Sequence, residues 1–222
     1  MEETIRQIAI WALPLLVAVV FHELAHGWVA NRLGDPTAAK LGRLSLNPLV
    51  HIDLFGSVLI PLALILSHSP FVFGYAKPVP VNFHNLRHPK RDMVWVALAG
   101  PVMNLLLALG FVIALKALMP LAAGPDGMAR TGVAGFLAPL VLMAQGGVLI
   151  NIAIAVFNLI PLPPLDGGRV AVGLLPQPLS SMLASVERFG MLALIVLLYT
   201  GIIDRVIDVP TEFLLKLYLG VF

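Results

Sequence analysis

The 222-residue sequence contains no cysteine, and only 12% of its residues are charged. Without cysteine there is no disulfide framework, no thiol nucleophile, no Cys-ligated zinc and no iron–sulfur cluster. An ordinary soluble domain carries about 25% charged and about 45–50% apolar residues. Here the apolar share is 59% and the mean hydropathy +0.95, so the chain cannot cover itself with a water-facing surface. That excludes a cytosolic globular enzyme and a disordered linker. Nucleic-acid binding is excluded too, because the pI of 9.2 rests on a net charge of only +2 with no long basic run. What remains is an all-α polytopic membrane protein, expected to form a single domain over residues 1–222.

A helix needs about 20 mainly apolar residues to cross the hydrocarbon. Five stretches qualify or come close: Ile8–Val29, Leu54–Ser67, Met93–Leu115, Val133–Leu165 and Leu183–Ile203. The first is no cleavable signal peptide, since Glu2 and Glu3 spoil the basic start. The second is short and would tilt, re-enter or thin the bilayer. The fourth is longer than one span needs, and Gly146-Gly147 with Pro161, Pro163 and Pro164 predicts a helix that stops at membrane depth. The tail Val209–Phe222 alternates apolar and polar residues and is expected to lie in the interface. The basic connections 32–53 and 66–92 would fall on opposite sides of the membrane, so the positive-inside count does not decide orientation. Within the second connection, Phe71–Tyr75 and Val79–Val81 are β-prone around Lys77-Pro78. That reads either as an irregular loop or as a short membrane-associated hairpin near 71–82 whose edge could pair with an extended peptide.

The chemistry sits at the end of the first span. His22-Glu23-Leu24-Ala25-His26 is an HExxH sequence on a predicted helix. Spacing of i, i+4 puts both imidazoles on one face, one turn apart, so they can share a metal ion. Glu23, beside the first histidine, can activate water as general base. Ionisable groups in an apolar helix are costly and mark function. Catalytic zinc takes three protein ligands, so a third must come from elsewhere. Asp166 follows the longest uncharged stretch and precedes Gly167-Gly168; its carboxylate is either that ligand, aimed into the bundle, or the cap of the next helix.

Asn104 and Asn158 lie in otherwise apolar spans, where an amide must find partners. They either bond neighbouring helices or hold substrate and the oxyanion of a tetrahedral carbonyl. His51 and Asp53 form a further polar pair that could bind metal, gate the site or cap a helix, with the cap preferred for Asp53.

Together, His22-Glu23-x-x-His26, Gly100-Pro101-x-x-Asn104 and Asn158-Leu-Ile-Pro161-Leu-Pro-Pro-Leu165-Asp166-Gly167-Gly168 resemble the site-2 protease family of intramembrane zinc metalloproteases. The likeness is to the small bacterial and archaeal branch without PDZ or CBS domains, and it runs from the first span through Arg169. The resemblance implies one zinc per chain on His22, His26 and Asp166, Glu23 as the residue that activates water, and Asn158 near the zinc, with Asn104 as a second candidate. It also implies a transmembrane protein or peptide as substrate and residence in the lipid bilayer of a prokaryotic cytoplasmic membrane. An inactive scaffold of the same fold and a metal or proton transporter are the alternatives. The ligands and base argue against the first, and the lack of repeat symmetry against the second.

Overall fold

The computed structural model describes residues 2–67, 74–122 and 133–220. It is helical: α1 (Glu2–Arg32), α2 (Thr37–Lys40), α3 (Ile60–Leu66), α4 (Pro89–Ala122), α5 (Val133–Asn158), α6 (Asp166–Leu174), α7 (Leu179–Tyr199) and α8 (Ile202–Leu219). Among the described residues, four segments are long and apolar enough to cross a membrane: Ile10–Arg32, Pro89–Ala122, Phe136–Asn158 and Leu179–Tyr199. The fifth candidate, Leu54–Leu66, begins as a π turn and continues as α3. At the helical rise it reaches at most about 20 Å, short of a hydrocarbon core of about 30 Å. Asp53 caps it, its Oδ1 accepting the Phe55 and Gly56 amides at 3.0 and 2.7 Å.

Helix α4 packs along both α1 and α5, and these three form the centre of the bundle. Pro89 supplies the first turn of α4 with a preset φ, and the buried Asp92 carboxylate accepts the His88 amide at 2.8 Å. Ala108 and Val112 of α4 meet Val148, Ile152 and Val156 of α5 in a fully apolar core.

The uncharged stretch 133–165 is not one helix. Helix α5 ends at Asn158, a turn carries the chain through the prolines, and α6 starts at Asp166. The last two elements also divide differently from the Leu183–Ile203 and Val209–Phe222 readings. Gly201, at φ +67°, ends α7 and starts α8. Ile207, Leu214, Leu215 and Tyr218 of α8 pack on the α4–α5 core, and the Tyr218 hydroxyl donates to Leu105 O. On the outer side of this helix Asp204, Arg205, Asp208, Glu212 and Lys216 are exposed together with Val206, Val209, Phe213 and Leu217.

Among the described residues there is no strand. Residues 71–73, three of the five in the first β-prone run of the candidate hairpin, lie outside the described residues. Residues 74–82 run as an irregular segment because their donors are committed elsewhere. Tyr75, Lys77 and Val79 give their amides to Gly56 O, His51 O and the Glu23 carboxylate, while Pro78 and Pro80 have none to give.

The exit from α1 is tied to the same connection. Gly34, at φ +115°, turns the chain out of the helix, and Asp35 follows, fully buried. Its carboxylate accepts from the Thr37 amide and hydroxyl, the Asn85 side chain and the Asn82 amide. Burial alone would raise its pKa, but these donors outweigh that and hold it below the ordinary aspartate value. A lowered folded-state pKa contributes stability in full above the ordinary value of about 3.9, lost as pH falls through the lowered one. Asp35→Asn is therefore expected to destabilise the protein by roughly 1–3 kcal/mol at neutral pH. The deficit relative to wild type should shrink as the pH falls below the ordinary aspartate value and through the lowered one, read from thermal melts in detergent across pH.

Candidate metal centre

One turn of α1 separates His22 from His26, and their Nε2 atoms lie 3.0 Å apart. Asp166 Oδ2, from the first turn of α6, stands 3.2 Å from one and 3.3 Å from the other. All three residues are buried. Three residues from opposite ends of the chain thus converge on one point.

Two glycine contacts explain why. Gly167 and Gly168 press directly on the backbone of Leu159–Pro163, where any Cβ would collide. The first turn of α6 is thereby folded back against the end of α5, which turns Asp166 inward. On the other side, α4 reaches the histidines at Gly100. A Cβ there would lie 2.6 Å from His22 Nε2 and would also strike His26 Nε2. The Gly-Pro-x-x-Asn sequence therefore has a local meaning. Its glycine admits the imidazoles, and its asparagine, one turn on, meets His22.

Each imidazole is oriented through its other nitrogen. His26 Nδ1 donates to Val96 O at 2.7 Å, and His22 Nδ1 to Asn104 Oδ1 at 2.6 Å. Both Nε2 atoms then present lone pairs toward each other and toward Asp166 Oδ2, a buried oxygen with no hydrogen-bond partner among the described residues. Mutually facing acceptors in apolar surroundings are unfavourable, and a cation among them removes the conflict. Ligand atoms of tetrahedral zinc, bonded at about 2.0–2.1 Å, sit about 3.3 Å apart. The donor set and its spacing fit that ion.

Glu23, half-buried, lies beside this cluster, its Oε2 accepting the Val79 amide at 2.7 Å. Together these groups line a cavity of about 560 Å³ that also includes Asn158, Arg169 and residues of the 74–83 segment. Asn158 donates its Nδ2 to Ile154 O. Asn104 is fully buried behind His22, outside the cavity lining. His51 is buried apart from the cluster, bonding Ser45 O through Nε2 at 2.8 Å.

The profile of Peptidase family M50 matches residues 10–199. The chain belongs to that family. Among M50 relatives, "Putative zinc metalloprotease YwhC" of Bacillus subtilis (strain 168) is 37% identical over 217 residues, covering 95% of this chain and 91% of that protein. Two longer proteins named "Putative zinc metalloprotease Rip2" are also similar. The one from Mycolicibacterium smegmatis is 30% identical over 86% of this chain and 66% of its own length. That of Mycobacterium tuberculosis (strain H37Rv) is 32% identical over 82% of this chain and 63% of its own length. No solved structure matches the chain. This M50 protein is thus a zinc metalloprotease with the helices of a multi-pass membrane protein.

Three features of the M50 site escape the sequence reading. The Val79 amide on Glu23 is a backbone group, which no side-chain motif reports. Gly100 had a motif but no stated role. Asn151, fully buried on α5, satisfies the same rule that singles out Asn104 and Asn158, namely an amide in an apolar span. Gly100→Ala should displace both imidazoles while leaving His22, His26 and Asp166 themselves unaltered. Zinc content of the purified protein is expected to fall well below about one per chain, with the helical circular dichroism retained.

Proposed function

We propose that this protein is an intramembrane endopeptidase that hydrolyses peptide bonds in or near transmembrane segments. The observation that carries the reading is the convergence of two imidazole lone pairs and a buried carboxylate beside Glu23, within a helix fit to span the bilayer. His22, His26 and Asp166 would hold the zinc. Zinc supplies Lewis acidity there, acidifying water and polarising a carbonyl. The M50 relationship and the relatives named as zinc metalloproteases support this assignment.

Glu23 acts as the base. The Val79 amide fixes one carboxylate oxygen, so the other takes a proton from the attacking water and returns it to the leaving amine. Asn158, on the cavity wall, is placed to hold substrate backbone or the developing oxyanion. Asn104 serves the site from behind, through His22.

A helical substrate hides its peptide bonds in i→i−4 hydrogen bonds and must unwind before attack. The 74–82 segment supports an extended pose. Tyr75, Ala76, Pro78 and Val79 line the cavity, so an unwound substrate would lie against this stretch of backbone. The catalytic unit comprises the whole chain. Its setting is the prokaryotic cytoplasmic membrane, with the metal toward the cytoplasmic side and single-span membrane proteins as substrates.

The test is cleavage of a single-span reporter in proteoliposomes. Chelation should abolish cutting and added zinc restore it. Glu23→Gln is expected to lower the rate by about 10²–10⁴-fold while keeping its zinc. Cleavage that survived in that variant would remove Glu23 from the mechanism. A zinc-loaded wild type that cut no such reporter would favour an inactive scaffold.

A further inference from the structure

Behind His22, hydrogen bonds run through three helices. Asn104 Oδ1 meets His22 Nδ1 at 2.6 Å, while Asn104 Nδ2 donates to Ala18 O at 3.1 Å and to Asn151 Oδ1 at 2.9 Å. Asn151 Nδ2 in turn donates to Gly147 O at 2.8 Å. Asn104 and Asn151 are both completely buried.

The polarity of this chain follows from the two backbone carbonyls at its ends. A carbonyl oxygen only accepts. Gly147 O therefore requires the NH₂ end of Asn151, which leaves Asn151 Oδ1 facing Asn104. Ala18 O and Asn151 Oδ1 are then two acceptors that consume both N–H bonds of the Asn104 amide. The Asn104 oxygen is left for His22, and it can be satisfied only if His22 Nδ1 carries hydrogen. That sets the Nε2 lone pair toward His26 and Asp166. A flipped Asn104 amide would set its oxygen against two other acceptors and its NH₂ against Nδ1, favouring the imidazole tautomer with hydrogen on Nε2. That tautomer cannot bind a metal through Nε2.

We infer that Asn151 is a positioning residue of the metal centre: by locking the Asn104 amide, it fixes the His22 tautomer that binds metal. This rests on the zinc-protease reading for its consequence, though not for its geometry. Partners that fix ligand histidines commonly change metal affinity 10–100-fold when removed. The assignment goes beyond packing, because an apolar residue of similar size would fill the same space and fail to hold the amide.

The experiment compares wild type with Asn151→Leu, using ¹⁵N-histidine-labelled, metal-free protein and zinc titration. In wild type, Nδ1 of His22 should give the shift of a protonated ring nitrogen. In Asn151→Leu that signal should move toward the unprotonated position, and zinc should bind about 10–100-fold more weakly. Should Asn151→Leu fail to fold, Asn151→Ser serves instead. Its hydroxyl can bond back to Gly147 O but is too short to hold the Asn104 amide, so the same two changes are expected. An unprotonated Nδ1 in wild type overturns the inference, and that result needs no variant. So does a folded variant whose tautomer is unchanged and whose zinc affinity lies within about twofold of wild type, since the partner effect expected is at least tenfold. If wild type binds no zinc, the protease reading falls, and the ring-nitrogen shifts alone still decide the role of Asn151.

Discussion

Two imidazole nitrogens and a carboxylate oxygen face one another across 3.0–3.3 Å in the interior of an apolar bundle. With both imidazoles neutral in these tautomers all three atoms are acceptors, so the cluster is costly until a cation joins it. The fold around it is organised to impose this confrontation. Helix α1 supplies both histidines, α4 comes close enough through Gly100 to hold them, and α6 is bent back on glycines to deliver the acid. Here the surrounding Val96, Ala97, Leu165 and Leu194 are buried and apolar, which makes the preference for a metal correspondingly strong.

Much of this was legible in the residues. The missing charge and the high apolar content already place the chain in a bilayer. His22, Glu23 and His26 announce themselves because their spacing coincides with one helical turn and their burial demands a reason. Asp166 stood out for the same reason, and its approach to the histidines follows from the Gly167-Gly168 pair beside it. Span counting was less secure where a helix ends without a change in composition. The stretch from Val133 to Leu165 is uncharged throughout, so only the prolines hinted that α5 stops at Asn158.

What the sequence did not display are contacts that depend on which groups meet across helices. Asn151 differs from Asn158 by two helical turns on one helix, yet one is sealed behind the histidines and the other lines the cavity. Amphipathic α8 was similarly ambiguous. An apolar stripe with a charged opposite face suits a lipid interface and a helix bundle equally well; Leu214, Leu215 and Tyr218 pack on the bundle while Val209, Phe213 and Leu217 stay exposed. The β-prone residues near Val79 obeyed tertiary demands over local propensity: their amides hold other parts of the molecule.

That last arrangement has a practical side. The Glu23 carboxylate, our proposed base, is steadied by the backbone of a segment lying along the cavity wall, and α1 itself provides only its attachment point. The same segment is anchored at Gly56 and His51 through single amides. A compound that pulled this strip of chain outward would free the Glu23 carboxylate while leaving His22, His26 and Asp166 untouched. Selective inhibition of this protein therefore has a foothold that chelating warheads, which recognise any exposed zinc, do not exploit.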